Sequence, residues 1–213
     1  MRLRKKKWAK PLLESQTGYV ITDFSAVKGN WREVFGNDNP IYLEIGMGKG
    51  DFIVGLATRN PSINYVGIEL SETVAAIALK KVMEHEFSNV RVINKDAINL
   101  EDIFTSGEIG RIYLNFSDPW PKAGHYKRRL TYKAFLDVYR EILKEDGAIF
   151  FKTDNAGLFE FSLEQFKEDG WRLENVTDDL HNSEFAADNI MTEYEKNFSE
   201  KGFTIHRLEA YVK

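Results

Sequence analysis

The chain of 213 residues contains no cysteine. Disulfides, thiolate metal sites and a cysteine nucleophile are therefore excluded. Histidine is scarce: the four (His85, His125, His181, His206) lie far apart, and no H-E-x-x-H pattern pairs them. No G-x-S-x-G and no Walker A motif occurs, which removes the usual support for a serine hydrolase or a P-loop enzyme. No apolar run approaches the roughly 20 residues a membrane span needs. The basic N-terminus is not followed by the apolar stretch of a signal peptide. These absences lead to the expectation of a cytoplasmic protein without a membrane or metal partner; a monomer or a homodimer is expected, and the two stay open.

Hydrophobic residues make up 43% and aromatic residues 13%, enough for a sizeable core in one domain. The net charge of −4 is unevenly spread. Residues 1–10 carry six Lys/Arg (Arg2, Arg4, Lys5, Lys6, Lys7, Lys10) and no acid. Residues 122–133 carry five (Lys122, Lys127, Arg128, Arg129, Lys133), again without an acid. Outside these two stripes 18 Lys/Arg face 33 Asp/Glu. An acidic body with two basic stripes can still accept a phosphate backbone, because local charge decides where it lies.

Residues 1–40 show weak periodicity and read as a basic, mobile arm with some local structure; residues 41–213 read as the folded domain. Apolar runs predict strands over 41–45, 64–69, 90–93, 112–116 and 148–151. Helical spacing predicts helices over 51–59, 72–87 (with Val74, Ala78 and Val82 on one face) and 156–169. A further helix carries Phe135, Leu136, Tyr139, Ile142 and Leu143 on one face and ends before Gly147. Residues 171–177 and 203–212 suggest a closing pair of strands around a polar loop. Alternating strands and helices imply an α/β, Rossmann-like fold: a mostly parallel seven-stranded sheet, helices on both faces, and an antiparallel closing strand. Ligands of such sheets bind at the carboxyl ends of the strands.

The residues at those ends carry the chemistry. Glu44-Ile45-Gly46-Met47-Gly48-Lys49-Gly50 joins the first strand to a helix, and Glu69 ends the second strand 23 residues after Gly46. Glycines permit tight turns and close approach of a ligand; an acid at that strand end suits ribose hydroxyls. The spacing is G-x-G-x-G rather than the dinucleotide G-x-G-x-x-G, and Glu44 and Asp51 flank the loop. Two carboxylates beside a pyrophosphate would repel it. S-adenosylmethionine brings an ammonium, a sulfonium and a ribose instead, so charge favours it over NAD. Asp96, past the third strand, adds an acceptor for an adenine amino group, or else caps a helix over 97–103.

After the fourth strand, Asp118-Pro119-Trp120-Pro121-Lys122 forms a stiff turn that holds the Asp118 carboxylate at the strand end. The next segment, Ala123-Gly124-His125-Tyr126-Lys127-Arg128-Arg129-Leu130, mixes cations with aromatic faces, as RNA contact requires. Asp154 could cap the helix over 156–169, and Glu195 could be an ordinary surface acid.

These residues resemble the bacterial tRNA (guanine-N7)-methyltransferases over roughly residues 40–210. The resemblance rests on Glu44–Gly48, Gly67-Ile68-Glu69, the Asp118–Lys122 turn, His125 with Lys127–Leu130, Lys152-Thr153-Asp154-Asn155 and Thr192-Glu193-Tyr194-Glu195. It implies methylation of guanine 46 in the tRNA variable loop, with S-adenosylmethionine as donor. It further implies that Glu44, Gly46, Gly48, Glu69, Asp96 and Asp118 surround the donor, with Asp118 catalytic. Lys122, Asp154, Thr192, Tyr194 and Glu195 would contact the substrate, with Asp154 and Glu195 suited to accept the N–H donors of a guanine edge, and Gly124, His125, Tyr126, Lys127, Arg128 and Arg129 would meet RNA. An exocyclic-amine methyltransferase is the nearest alternative, but its Asn/Asp-Pro-Pro-Tyr differs from a turn whose Trp120 lies between two prolines. A non-catalytic RNA-binding module would leave Glu44, Gly46, Gly48, Glu69 and Asp118 unexplained.

Overall fold

A computed structural model describes residues 4–212, in two compact units that meet in sequence at Thr105 and Ser106. Arg2 of the basic stripe lies outside the described residues.

The first unit is built on three parallel strands, β1 (Ile41–Ile45), β2 (Asn64–Ile68) and β3 (Val90–Ile93), in the order β3-β2-β1. The register pairs Ile45 with Ile68 and Ile68 with Ile93, so the strands end level and their exits share one edge. Helices α4 (Asp51–Arg59) and α5 (Glu72–Glu84) make the crossovers. Their contact is close: a Cβ on Gly50, whose φ is +84°, would lie 2.9 Å from the Ala78 Cβ. The buried face of α5 is Ala75, Ala76, Ala78, Leu79 and Val82, rotated from the expected stripe, with Val74 only half-buried. The helix stops at Glu84 because His85 caps it and Glu86 turns left-handed at φ 52°.

Among the described residues of the lead-in, folded elements begin at Ala9. Helix α1 (Ala9–Ser15) buries Ala9 and Leu13 and packs on α5, and the Lys6 amide donates to Thr73 Oγ1 at 3.0 Å. Val20 bridges to Val92, with Ile21 N donating to Val92 O and Val92 N to Tyr19 O. Two further short helices follow, α2 (Phe24–Val27) and α3 (Trp31–Phe35). Trp31 is buried against Phe104 and Phe35, with ring centroids at 5.3 and 5.8 Å. Helices of four to seven residues are too short to establish a visible period, which explains why pattern reading missed them.

The second unit holds β4 (Ile109–Asn115), α6 (Lys133–Ile142), β5 (Leu143–Thr153), α7 (Ala156–Glu168), β6 (Arg172–Thr177), α8 (Glu193–Ser199) and β7 (His206–Tyr211). The strand order is β4-β5-β7-β6: β4 and β5 are parallel, and β7 runs antiparallel to both its neighbours. The expected closing pair is therefore present, and the described residues of the two units hold seven strands. β4 ends one residue earlier than expected because Phe116 adopts φ 53°. Strand β5 is longer than expected, starting directly after α6. Helix α7 packs on β5, β6 and β7, with Phe159 stacked on Phe151 and Ser162 Oγ 2.8 Å from the buried Thr131 hydroxyl. The polar loop before β7 contains α8, which pattern reading did not find.

Candidate active site

The first unit presents a glycine loop at the exits of its strands. Gly46 N and Met47 N both donate to Ile68 O, at 2.8 and 3.0 Å, folding the chain over the end of β2. Gly46 and Gly48 take φ of +76° and +57°, and nothing lies within 4 Å of where a Cβ would stand on either. The loop is thus left-handed and open on that side. Gly67 serves packing instead: a Cβ there would meet Met47 Sδ at 2.3 Å.

Glu69 is anchored to this loop. Its two carboxylate oxygens accept from Gly48 N (3.1 Å) and Ser71 N (2.8 Å), while Asn94 Nδ2 donates to its carbonyl (2.7 Å). Glu44 is buried in β1 directly before the loop. Asp96 is exposed past β3 and accepts from Ile98 N at 3.3 Å. It caps no helix, because 97–103 contains only a 3-10 turn at Leu100–Asp102 that begins at Asn99. Sequence reading missed the apolar neighbours of these acids: Leu70 is 64% and Ile98 54% exposed. The available signal was an apolar residue placed one or two positions after each acid.

Carboxylates attract the ammonium and sulfonium and can accept from ribose hydroxyls, and exposed aliphatic side chains suit the faces of an adenine. With no side chain on Gly46 or Gly48 to obstruct approach, this set fits S-adenosylmethionine. It does not fit a pyrophosphate.

In the second unit the site begins where β4 stops. Phe116 N donates to Lys152 O at 2.8 Å while its φ is 53°, and Trp120 has φ 43°. Left-handed backbone is costly for a non-glycine residue and persists only where surroundings enforce it. Arg129 is one enforcer: its guanidinium donates to Pro119 O (2.9 Å) and Trp120 O (3.4 Å) and lies over Phe161 at 4.4 Å. Arg129, expected to meet RNA, thus engages its guanidinium with the turn itself. Arg128 covers the Trp120 ring at 4.9 Å, and His125 meets its edge at 5.8 Å. Residues 123–128 form a 3-10 turn in which Gly124 and Lys127 are exposed, as is Lys122 before it. Tyr126 is exposed with its ring edge-on to Tyr132.

Asp154 follows β5 and does not cap α7; Asn155 does, accepting from Leu158 N at 2.8 Å. Asp154 Oδ2 instead accepts from the Tyr194 hydroxyl at 3.4 Å. The Tyr194 ring stacks on Phe198 (4.0 Å) and tilts against Phe116 (5.1 Å). Burial, then the charge and hydrogen bond of Asp154, then the charge of Asp118, push the Tyr194 phenol up to about 12. Asp154 thus holds the Tyr194 hydroxyl, and the charge of Asp118 reaches the same phenol.

Thr192 and Glu195 play inward parts. Thr192 Oγ1 accepts from Glu195 N (2.9 Å) and Glu195 Oε2 from Thr192 N (3.3 Å), a reciprocal cap on α8. The Glu195 side chain is 0% exposed and also takes Lys152 Nζ (2.7 Å), His181 Nε2 (2.8 Å) and Asn189 Nδ2 (2.6 Å). Burial alone would raise its pKa; the Lys152 ammonium and the hydrogen bonds of Lys152, His181 and Asn189 outweigh that and hold it below the ordinary carboxylate value. Glu195 is neither a surface acid nor an open acceptor for a guanine edge, because its oxygens are already engaged. Among the described residues no cluster of His, Asp and Glu could hold a metal, and no helix is long and apolar enough to cross a membrane.

Solved structures share this fold. A 16S rRNA methyltransferase, KamB, superposes with a TM-score of 0.66 at 14% identity, covering 87% of this chain and 93% of that one. A SAM-dependent methyltransferase from Aquifex aeolicus covers 99% of this chain and 100% of its own at a TM-score of 0.55 and 14% identity. A family model described as "Putative methyltransferase" matches residues 38–208. Fold and glycine loop together define an S-adenosylmethionine-dependent methyltransferase of the Rossmann-like class. At higher identity, the tRNA (guanine-N(7)-)-methyltransferase of Streptococcus pneumoniae (strain CGSP14) is 53% identical over 210 residues, 99% of each chain. That of Streptococcus equi subsp. zooepidemicus (strain MGCS10565) is 54% identical over the same length and shares. The chain belongs to the tRNA (guanine-N7)-methyltransferase family.

Proposed function

We propose that the protein methylates N7 of guanine 46 in the variable loop of tRNA, acting in the cytoplasm as a monomer or homodimer. Residues 41–213 are the methyltransferase domain in this reading, and residues 1–40 add cations to it. The observation that carries the reading is the Tyr194 hydroxyl hydrogen-bonded to Asp154 and reached by the charge of Asp118, which stands a short chain distance before the cationic segment 122–129.

S-adenosylmethionine, held by Glu44, Gly46, Gly48, Glu69 and Asp96, supplies a methyl group activated by its sulfonium. Guanine N7 offers a lone pair and carries no proton. Its methylation requires no general base, which agrees with a site built from carboxylates and a phenol that stays protonated. As the N7–carbon bond forms and the sulfur–methyl bond breaks, positive charge passes from the sulfonium, which leaves as a neutral thioether, to the purine, and the Asp118 carboxylate stabilises it. Asp154 accepts from the N1–H and N2–H edge. Tyr194, Thr192 and Lys122 border the acceptor nucleotide. Lys127 and Arg128 take phosphates, and Gly124, His125 and Tyr126 give the RNA close approach and ring faces.

The test is to incubate the protein with labelled donor and tRNA and map the product. Label on N7 of guanine 46, lost when that position is adenine, is the expected result. Label on an exocyclic amine, or on another nucleotide, overturns the reading.

A further inference from the structure

Lys152 lies at the centre of the acceptor side, yet the reaction as described gives it no part. Its side chain is 7% exposed, and its ammonium reaches three acceptors in one loop: Asn189 Oδ1 (2.9 Å), Ile190 O (3.0 Å) and Glu195 Oε2 (2.7 Å). Asn189 closes a ring by donating to the other oxygen of Glu195. From the opposite side the Lys152 carbonyl accepts the amide of Phe116, the left-handed residue two before Asp118, and its Nζ stands 5.9 Å from the Phe116 ring centroid. Two residues further along the chain is Asp154. One residue thus ties the Asp118 turn, the Asp154 strand end and the segment that carries Thr192 and Tyr194.

A buried ion pair rarely exceeds in stability what apolar side chains of the same volume would contribute, and its better-attested use is to specify an arrangement. Tyr194 is adjacent to Glu195, so the pair decides where that phenol stands. We propose that Lys152, acting through Glu195, Asn189 and His181, is a positioning residue that holds the 189–195 loop over the end of β5 and so sets Tyr194 between Phe116 and Asp154 for acceptor binding. The inference rests on the reading of this side as the acceptor site.

The test compares wild type with Lys152→Met/Glu195→Leu, which removes both charges together and leaves neither buried alone. Three quantities are read: kcat/KM for tRNA, S-adenosylmethionine affinity by calorimetry, and the titration of Tyr194 by NMR of ring-labelled tyrosine, assigned with Tyr194→Phe. Displacing an oriented group costs about 10- to 100-fold in rate, so kcat/KM for tRNA should fall by that factor. The Tyr194 pKa should drop from about 12 toward the ordinary tyrosine value, because the displaced phenol loses its burial and then the hydrogen bond and charge of Asp154 and the charge of Asp118. Donor affinity should stay within about twofold, as expected for changes in a separate element. An unmoved Tyr194 titration or an unchanged kcat/KM overturns the proposal. Should the double variant fail to unfold cooperatively, Asn189→Ala decides: it keeps the ion pair and breaks the ring. About fivefold loss of kcat/KM, the scale of one hydrogen bond, supports the proposal, and no loss overturns it. If wild type itself places no methyl on tRNA guanine N7, the reading of the reaction fails, and the Tyr194 titration alone decides whether Lys152 positions the loop.

Discussion

Arg129 donates its Nε proton to the carbonyl of Pro119 at 2.9 Å, clamping the turn that carries Asp118. Its neighbours in the basic segment do something else: Lys127 is exposed, and Arg128 lies on Trp120. The three consecutive cations should therefore separate in experiment. Lys127→Ala with Arg128→Ala should weaken tRNA binding and flatten the dependence of log affinity on log salt, by about 0.7–0.9 for each phosphate that is no longer neutralised. Arg129→Ala should lower turnover more than it changes that slope, because it frees the turn. Affinity measured at several salt concentrations, beside kcat, tests this; identical slopes for all variants would remove the segment from the RNA surface.

Asp118 should matter to chemistry more than to donor binding. Asp118→Asn keeps the shape and removes the charge, so kcat should fall about 100- to 1000-fold, the scale of losing one electrostatic stabiliser. The same substitution should lower the Tyr194 pKa below its present value of about 12, since the Asp118 charge is one of its causes. Near wild-type turnover would exclude Asp118 as the stabilising group.

The glycine loop yields two contrasting outcomes. Glu69→Ala removes the acceptor of the Gly48 and Ser71 amides and the proposed ribose partner. It should weaken S-adenosylmethionine binding by about 1–3 kcal/mol. Gly50→Ala should act on stability instead, since φ is +84° and the new Cβ would meet Ala78 Cβ at 2.9 Å. A loss of about 2–4 kcal/mol follows from strain plus overpacking. Calorimetric titration and urea unfolding distinguish the two; equal stability in the glycine variant would mean α4 and α5 can separate freely.

Acid should release the Glu195 network. Its folded pKa lies below the ordinary value of 4.5. The stabilisation is therefore present above that ordinary value and is lost as pH falls through the lower, folded one. Wild type should lose stability below about pH 4.5, and Glu195→Gln should show a shallower acid limb from a lower starting stability. Parallel acid limbs would mean that Glu195 keeps an ordinary pKa in the folded protein.

Local order was readable because it is written in neighbouring residues. The buried runs Ile41–Ile45 and Val90–Ile93 and the helix Asp51–Arg59 follow from apolar spacing and the glycines that stop them. The acids at strand exits, the glycine loop and the Asp118–Lys122 turn are likewise contiguous motifs. The cap of α7 was legible to within one position, because Asp154 and Asn155 are both competent caps and the backbone chose Asn155.

Sequence alone determined the fold class, the donor chemistry and the position of Asp118, since each depends on residue type at short spacing. Tertiary structure decided which polar groups are open to a substrate and which are spent on the protein itself. Glu195 turns inward because Lys152 and His181, 43 and 14 residues away in the chain, supply its partners. Arg129 clamps a turn because Phe161 and the Pro119 carbonyl lie within its reach. The 8–35 lead-in folds because Ala9, Leu13, Val20 and Trp31 find burial against distant elements. Burial and pairing are properties of distant residues meeting in space, and no local period encodes them.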